Sequence, residues 1–406
     1  MIAEALERNP GYEAAQASLR EAQDNLRAGY GVFYPQIGGN LSAAREKFSP
    51  IDFGRNAGSS VFNLFSLTGS ITYVLDVFGG ERRAVEALGA EADVQSATER
   101  AAWLALISNV VDGAIASAAY RAELDATREL VALETQQLKL AQVQFRAGTI
   151  AYSSVLDIQT QLESYQASVP GLEQRVVQAD DLLATLAGRP PADWKAPIIE
   201  FSALVLPSDL PVSLPADLVR QRPDILAAEA TAHAASANIG VATAALLPNV
   251  TLSAGAGANS TALSGLFASN GQAWNVGADM AQPIIEGGTL WFKRKAAIDD
   301  YNKAMALYRQ TVLSALQQTA DTLNALDHDA QALVAEEHAL ATAKDALNLS
   351  EANYRSGMAN YLDVINADAQ YRQAQIGDIE AMAVRYQDTV ALFVALGGGW
   401  WNEPTG

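Results

Sequence analysis

The sequence predicts a mainly α-helical chain with four β-strands, arranged as two internal repeats of helix, strand pair, very long helix and returning helix. Three observations predict it. Residues 289–356 contain no Gly and no Pro. They read as one helix of about 100 Å at ~1.5 Å per residue, far longer than an ordinary globular helix. Large side chains recur there at every seventh position: Leu326, Leu333, Leu340, Leu347 and Tyr354, preceded by Ile298, Met305 and Val312. A seven-residue repeat demands slight underwinding and a left-handed supercoil against neighbouring helices. The third observation is a second such helix. Residues 81–147 hold no Pro and two Gly, and an offset of 209 carries Leu124, Val131, Leu138 and Phe145 onto Leu333, Leu340, Leu347 and Tyr354. The two ladders share one register of an internal repeat.

The first repeat spans 1–168. Residues 1–34 form a helix with Leu6, Ala14, Leu19, Leu26 and Phe33 on one face. Asn9-Pro10 interrupts it and Tyr34-Pro35 ends it, since the residue before Pro avoids the αR region. The period then becomes two. Strands are expected at about 36–47 and 66–78, around an irregular loop at 48–62. Asp76 to Gly80 closes the pair, and Gly79-Gly80 permits the sharp turn into the helix at 81–147. Gly148 is a natural helix stop, and a helix returns from about Ser153 to Ala167. Eight of the fourteen prolines lie between Pro170 and Pro223. Residues 169–214 therefore read as an irregular connector. The second repeat, 215–396, has strands at about 248–259 and 273–284, the helix at 289–356, a tip at Gly357 and a returning helix from Tyr361 to Leu396. A tail, 397–406, follows.

Composition removes several function classes. The net charge of −19 argues against a nucleic-acid partner, which needs Lys and Arg. With no Cys there is no thiolate metal site, disulfide or lipid-bearing Cys. His233, His328 and His338 are isolated and read as solvated helix-surface residues. No phosphate-binding Gly loop follows a strand, so no enzyme, cofactor or metal is expected. There is no run of about 18 apolar residues, so no transmembrane helix is expected. Met1 leads straight into a helical pattern without a basic or apolar leader. This fits either a cytosolic protein or one whose targeting segment has been removed.

The strands carry apolar and aromatic residues on one side. Transmembrane strands need about 9–11 residues and must close into a barrel. Four strands cannot close around a wide lumen, whereas three copies would supply twelve. The alternative is a soluble four-stranded sheet capping a coiled coil.

The repeat, the strand pairs and the Gly-marked tips together resemble the TolC family of outer-membrane efflux ducts. Leu206 to Leu210, Leu214 to Leu218, Arg220-Gln221-Arg222-Pro223-Asp224-Ile225 and Leu396-Gly397-Gly398-Gly399-Trp400 resemble its NodT branch, lipoproteins serving resistance-nodulation-division (RND) pumps. The stretch from Arg220 is the most specific of these. The resemblance implies a TolC-like trimer whose twelve strands form one barrel in the outer membrane, in contact with its lipid. It also implies a periplasmic α-helical tunnel, an equatorial girdle made by the connector and tail, a periplasmic adaptor (membrane fusion protein) and an inner-membrane RND pump. The branch's signal peptide and lipid-bearing Cys are not in this chain.

Asp363 and Asn366 are three apart and share a helix face. The resemblance makes them, with Leu362, a periplasmic gate. Ser154 and Asp157 are their first-repeat equivalents in reversed order, and Tyr354 would help hold the entrance shut. Three-fold symmetry would make each Asp a ring, and carboxylate rings select cations. The plainer role of Asp363 is to complement the helix dipole. Gly148, Thr149, Ile150, Gly357 and Met358 would be the tips docked by the adaptor, although turn chemistry requires Gly there anyway. The leading reading is a passive, tip-gated exit duct. The competing readings are a soluble coiled-coil scaffold and a stand-alone porin.

Overall fold

The computed structural model describes residues 1–48, 58–207 and 221–398. The helices are α1 (Ile2–Arg8), α2 (Pro10–Gly29), α3 (Gly80–Arg146), α4 (Tyr152–Leu186), α5 (Pro223–Ala244), α6 (Thr289–Arg355) and α7 (Tyr361–Ala395). The strands are β1 (Gln36–Phe48), β2 (Ser60–Leu75), β3 (Asn249–Ser260) and β4 (Gln272–Ala281). Both long helices run 67 residues without interruption. Contacts divide the chain into two compact units. One comprises Met1–Ala17, Ala97–Leu226 and Gln310–Gly406; the other comprises Ser18–Ser96 and Ala227–Arg309. The second carries the sheet. Residues 208–220, which hold most of the Leu206 to Leu210 and Leu214 to Leu218 motifs and Arg220, the loop at 49–57 and the tail from 399, including Trp400, lie outside the described residues.

The sheet is fully antiparallel in the order β1-β2-β3-β4. Its register puts Ile37 opposite Ile71, Leu41 opposite Leu67, Tyr73 opposite Leu252, Ala254 opposite Val276 and Val250 opposite Met280. Because side chains alternate along a strand, these form one apolar face. Thr68, Ser70, Thr72, Thr251, Ser253, Asn275 and Asp279 stand on the other. Among the described residues this face is most open at the edge strands, where Ile37 and Trp274 are each 79% exposed, while Leu67, Tyr73, Val250 and Ala254 are half-buried. Among the described residues, β1 and β4 are edge strands with one side unpaired. β2 begins at Ser60, earlier than the alternation from 66 predicts. Val61-Phe62 and Leu64-Phe65 break the period, yet pairing with β1 from Phe48 onward extends the ladder.

Asp76 caps α3, accepting from the Glu81 and Arg82 backbone N–H groups, each at 3.0 Å. Gly79, at φ +78°, makes the turn that needs no Cβ. Gly287 and Gly288 do the same before α6 at φ +59° and +85°.

α4 continues through Pro170 to Leu186, into the segment expected to be irregular connector. A Pro inside a helix costs about 3 kcal/mol. Beyond it, Leu172 and Val176 pack on Leu124, and Leu183 packs on Leu106 and Val110. Burial worth about 1.5–3 kcal/mol per large side chain outweighs the proline. The expectation of no membrane-length apolar helix also needs correcting. α3 is long and apolar enough to cross a membrane by length and composition, although it holds no continuous apolar run, and 44% of its most apolar stretch is buried inside the chain.

The heptad ladder of α6 grades along its length. Leu326 and Leu333 are buried, Leu340 and Leu347 half-buried, and Tyr354 exposed. Leu326 packs with Leu323, Leu392 and Leu396. Leu307, Leu313, Leu316, Val334 and Leu349 on the same helix are exposed.

Candidate functional site

Both helical tips lie in the first unit and close by the same local chemistry. After α3, the Gly148 N–H donates to Phe145 O at 2.9 Å and the Thr149 N–H to Gln144 O at 3.0 Å. After α6, the Gly357 N–H donates to Tyr354 O at 3.0 Å and the Met358 N–H to Asn353 O at 2.8 Å. This is the paired 5→2 and 6→1 pattern of a Schellman stop, and it requires the left-handed φ of +73° and +76° at the two glycines. An aromatic clasp spans each turn. Phe145 meets Tyr152 at 5.2 Å between centroids, and Tyr354 meets Tyr361 at 5.5 Å. Thr149 and Met358 are exposed and Ile150 half-buried.

Asp363 completes a capping box at the start of α7. The Asn360 backbone N–H donates to Asp363 Oδ2 at 2.9 Å, and the Asp363 backbone N–H donates to Asn360 Oδ1 at 3.1 Å. The carboxylate is exposed and also serves the helix end. Asn366 faces α3 and is joined to the buried Gln137 at 2.6 Å. The other end of the Gln137 amide lies 2.7 Å from Glu134 Oε2. Burial pushes the Glu134 carboxyl above its usual range. Two further bonds tie α7 to α3: Tyr361 Oη donates to Gln136 Oε1 at 3.2 Å, and Arg372 pairs with Glu129 at 2.8 Å.

The two expected gate pairs are thus treated differently. Asp363, Asn366 and Leu362 sit together on the first turns of α7. Ser154 and the exposed Asp157 sit on the first turns of α4. Among the described residues, no hydrogen bond or ion pair joins Asp157 to Asp363 or Asn366. Gln137, Gln136 and Glu134 were absent from the sequence reading. The repeat could not have shown them, since the offset of 209 carries Gln137 to Ala346.

The sequence profile of the outer membrane efflux protein family matches residues 1–189 and 214–398. The chain belongs to this family. The pyoverdine export outer membrane protein OpmQ of Pseudomonas aeruginosa is 29% identical, covering 97% of this chain and 83% of the relative. Nodulation protein T of Rhizobium leguminosarum bv. viciae is 32% identical, covering 84% and 71%. The solved outer-membrane channel OprN superposes with a TM-score of 0.89 at 26% identity, covering 98% of this chain and 89% of that one. VceC of Vibrio cholerae gives 0.84 at 26% identity, covering 98% and 95%. The fold is that of TolC-like channels, and the family consists of outer-membrane efflux channels rather than enzymes.

Proposed function

We propose that this chain is the exit duct of a tripartite efflux pump, a passive conduit built as a homotrimer and gated at its periplasmic tip. The single observation that carries the reading is the two-faced sheet with both edges open. Unpaired backbone groups cannot stay unsatisfied in lipid. Pairing β4 of one copy with β1 of the next closes twelve strands with the apolar face outward and the Thr/Ser face lining the lumen. The exposed leucines of α6 supply surface for a neighbouring helix in the same assembly.

In such a trimer Asp363 becomes an acidic ring at the entrance, with Asn366 and Leu362 beside it and Asp157 and Ser154 on the adjacent returning helix. Tyr354 braces the turn through its clasp with Tyr361. The tips at Gly148-Thr149-Ile150 and Gly357-Met358 receive the periplasmic adaptor, and an inner-membrane RND pump supplies the energy. The capping box favours a second reading for Asp363, in which it serves only the first turn of α7.

Single-channel conductance in a planar lipid bilayer, with trivalent cations added on the tip side, tests the proposal. Cation-selective steps blocked from that side are the expected result. Insertion without selectivity or block would keep the barrel and discard the acidic gate. A protein that stays in solution without detergent and never inserts would favour the scaffold.

A further inference from the structure

The turn from β4 into α6 exposes a patch that the duct reading leaves unused. Ile284 and Ile285 are each 88% exposed, and Trp291 and Phe292 project at 56% and 62%. Immediately after them come Lys293, Arg294 and Lys295, three consecutive cations in a chain of net charge −19. Arg294 donates through Nε to Thr243 Oγ1 at 3.1 Å. Lys295 places its ammonium 5.8 Å from the Trp291 ring centroid. Among the described residues, no carboxylate pairs with Lys293 or Lys295. The nearby Arg82 and Arg83 differ, being paired with Asp76 and Glu86. A wet patch of Ile and Trp is costly, and unpaired cations beside it call for an anion at the boundary between apolar and aqueous surroundings.

We propose that Trp291 and Lys295, one helical turn apart on the same face of α6, form a site for an anionic phospholipid headgroup at the inner rim of the barrel. Lys295 would meet the phosphodiester, and Ile284, Ile285 and Trp291 the upper acyl chain. The site rests on the duct reading, which puts the sheet in a bilayer. It adds a lipid preference that the barrel alone does not require. The ends of the sheet match the arrangement. Trp274 lies seven residues before Ala281 on β4, or about 23 Å at ~3.3 Å per residue. At the ~40° tilt of barrel strands this covers about 18 Å of the ~25 Å apolar band expected between aromatic girdles, and the turn beyond Ala281 leads on to Trp291. Trp274 would then mark one rim and Trp291 the other.

The test is tryptophan quenching in vesicles carrying acyl chains brominated near the headgroup, on either phosphatidylglycerol or phosphatidylcholine. Each tryptophan's share is read as the difference from its Trp→Phe variant, Trp274→Phe or Trp291→Phe. Trp274 reports whether the barrel is in the bilayer. Trp291 reports the proposed site. A basic residue at a membrane surface enriches anionic lipid about fivefold. Half-maximal Trp291 quenching should therefore need about fivefold less brominated phosphatidylglycerol than phosphatidylcholine. Lys295→Gln should bring that ratio to one, whereas Lys293→Gln, on the opposite face of α6, should leave it unchanged; a ratio unmoved by Lys295→Gln would refute the site. If Trp274 is quenched while Trp291 ignores the headgroup, or is shielded by a second copy, the site is refuted and the duct stands. If neither is quenched, the membrane reading fails and takes the site with it.

Discussion

Arg222→Ala is the substitution whose cost the structure defines best. The side chain is 8% exposed and holds three partners. Its Nη1 donates to the Ala395 carbonyl at 2.8 Å, its Nη2 to Gln318 Oε1 at 2.8 Å, and Nε and Nη2 together grip Asp224 at 3.1 and 2.8 Å. It thereby ties the start of α5 to α6 and to the last turn of α7. Among the described residues, truncation leaves the buried Ala395 carbonyl with only the Thr319 hydroxyl at 3.5 Å, a desolvation cost of about 1–3 kcal/mol. Losing the two buried methylenes Cγ and Cδ adds about 1.6 kcal/mol. The Asp224 pair adds under about 1 kcal/mol, because that carboxylate is 45% exposed. The total is about 3–5 kcal/mol. An unfolding entropy of ~2.1 cal/mol/K per residue over 406 residues converts this to a Tm lowered by about 4–6 °C. Far-UV circular dichroism of detergent-solubilised protein is the assay. Arg222→Lys keeps the stem and one donor, so it should fall between. A loss below about 1 °C for Arg222→Ala, or a Lys variant as damaged as the Ala one, would refute the reasoning.

Asp363→Asn keeps an acceptor for the Asn360 N–H while removing the charge, so helicity should be unchanged and block by trivalent cations reduced. Unchanged block would assign Asp363 to the helix cap alone. Gln137→Leu removes the bond to Asn366 and should raise single-channel conductance by loosening α7 from α3. Its stability cost should be about 1–2 kcal/mol, and equal conductance would place the gate elsewhere. Gly357→Glu faces a φ of +76° but no neighbouring atom within 4 Å of a new Cβ. It should cost about 1–2 kcal/mol of strain, leave the trimer intact and abolish efflux; loss of the trimer would make the tip structural. Asp329 is pushed up to about 6 by burial, a hydrogen bond with Asp388 and the charge of that carboxylate, against the opposing charges of Arg385 and His328. A carboxyl raised in the folded state binds protons the unfolded chain releases. Its stabilising protonation is complete below about pH 4 and is lost as pH rises through about 6. Asp329→Asn should flatten that decline in thermal scans and stabilise the protein at neutral pH; an unaltered slope would assign the titration to another group.

Local chemistry made much of this legible. The bounds of α3 and α6 and the two glycine stops follow from heptads, missing Gly and Pro, and left-handed turns, all of which act over a few residues. The strand pairs followed from period two where it held, and β2 ran past the prediction where Val61-Phe62 broke it. The α4 helix past Pro170 was not legible, because the residues that outweigh the proline lie on α3. Nor was the Gln137–Asn366 lock, whose members are 229 residues apart, or the Arg222 clamp, which reaches 173 residues to Ala395. Asp363 was singled out for its charge, while its bond to Asn360 appears only once α7 has formed. The sequence by itself determined the periodic elements, their order and their turns, since backbone preference and side-chain period are short-range. Only the tertiary structure decided which polar groups lose water together, because that depends on helices distant in the chain packing side by side.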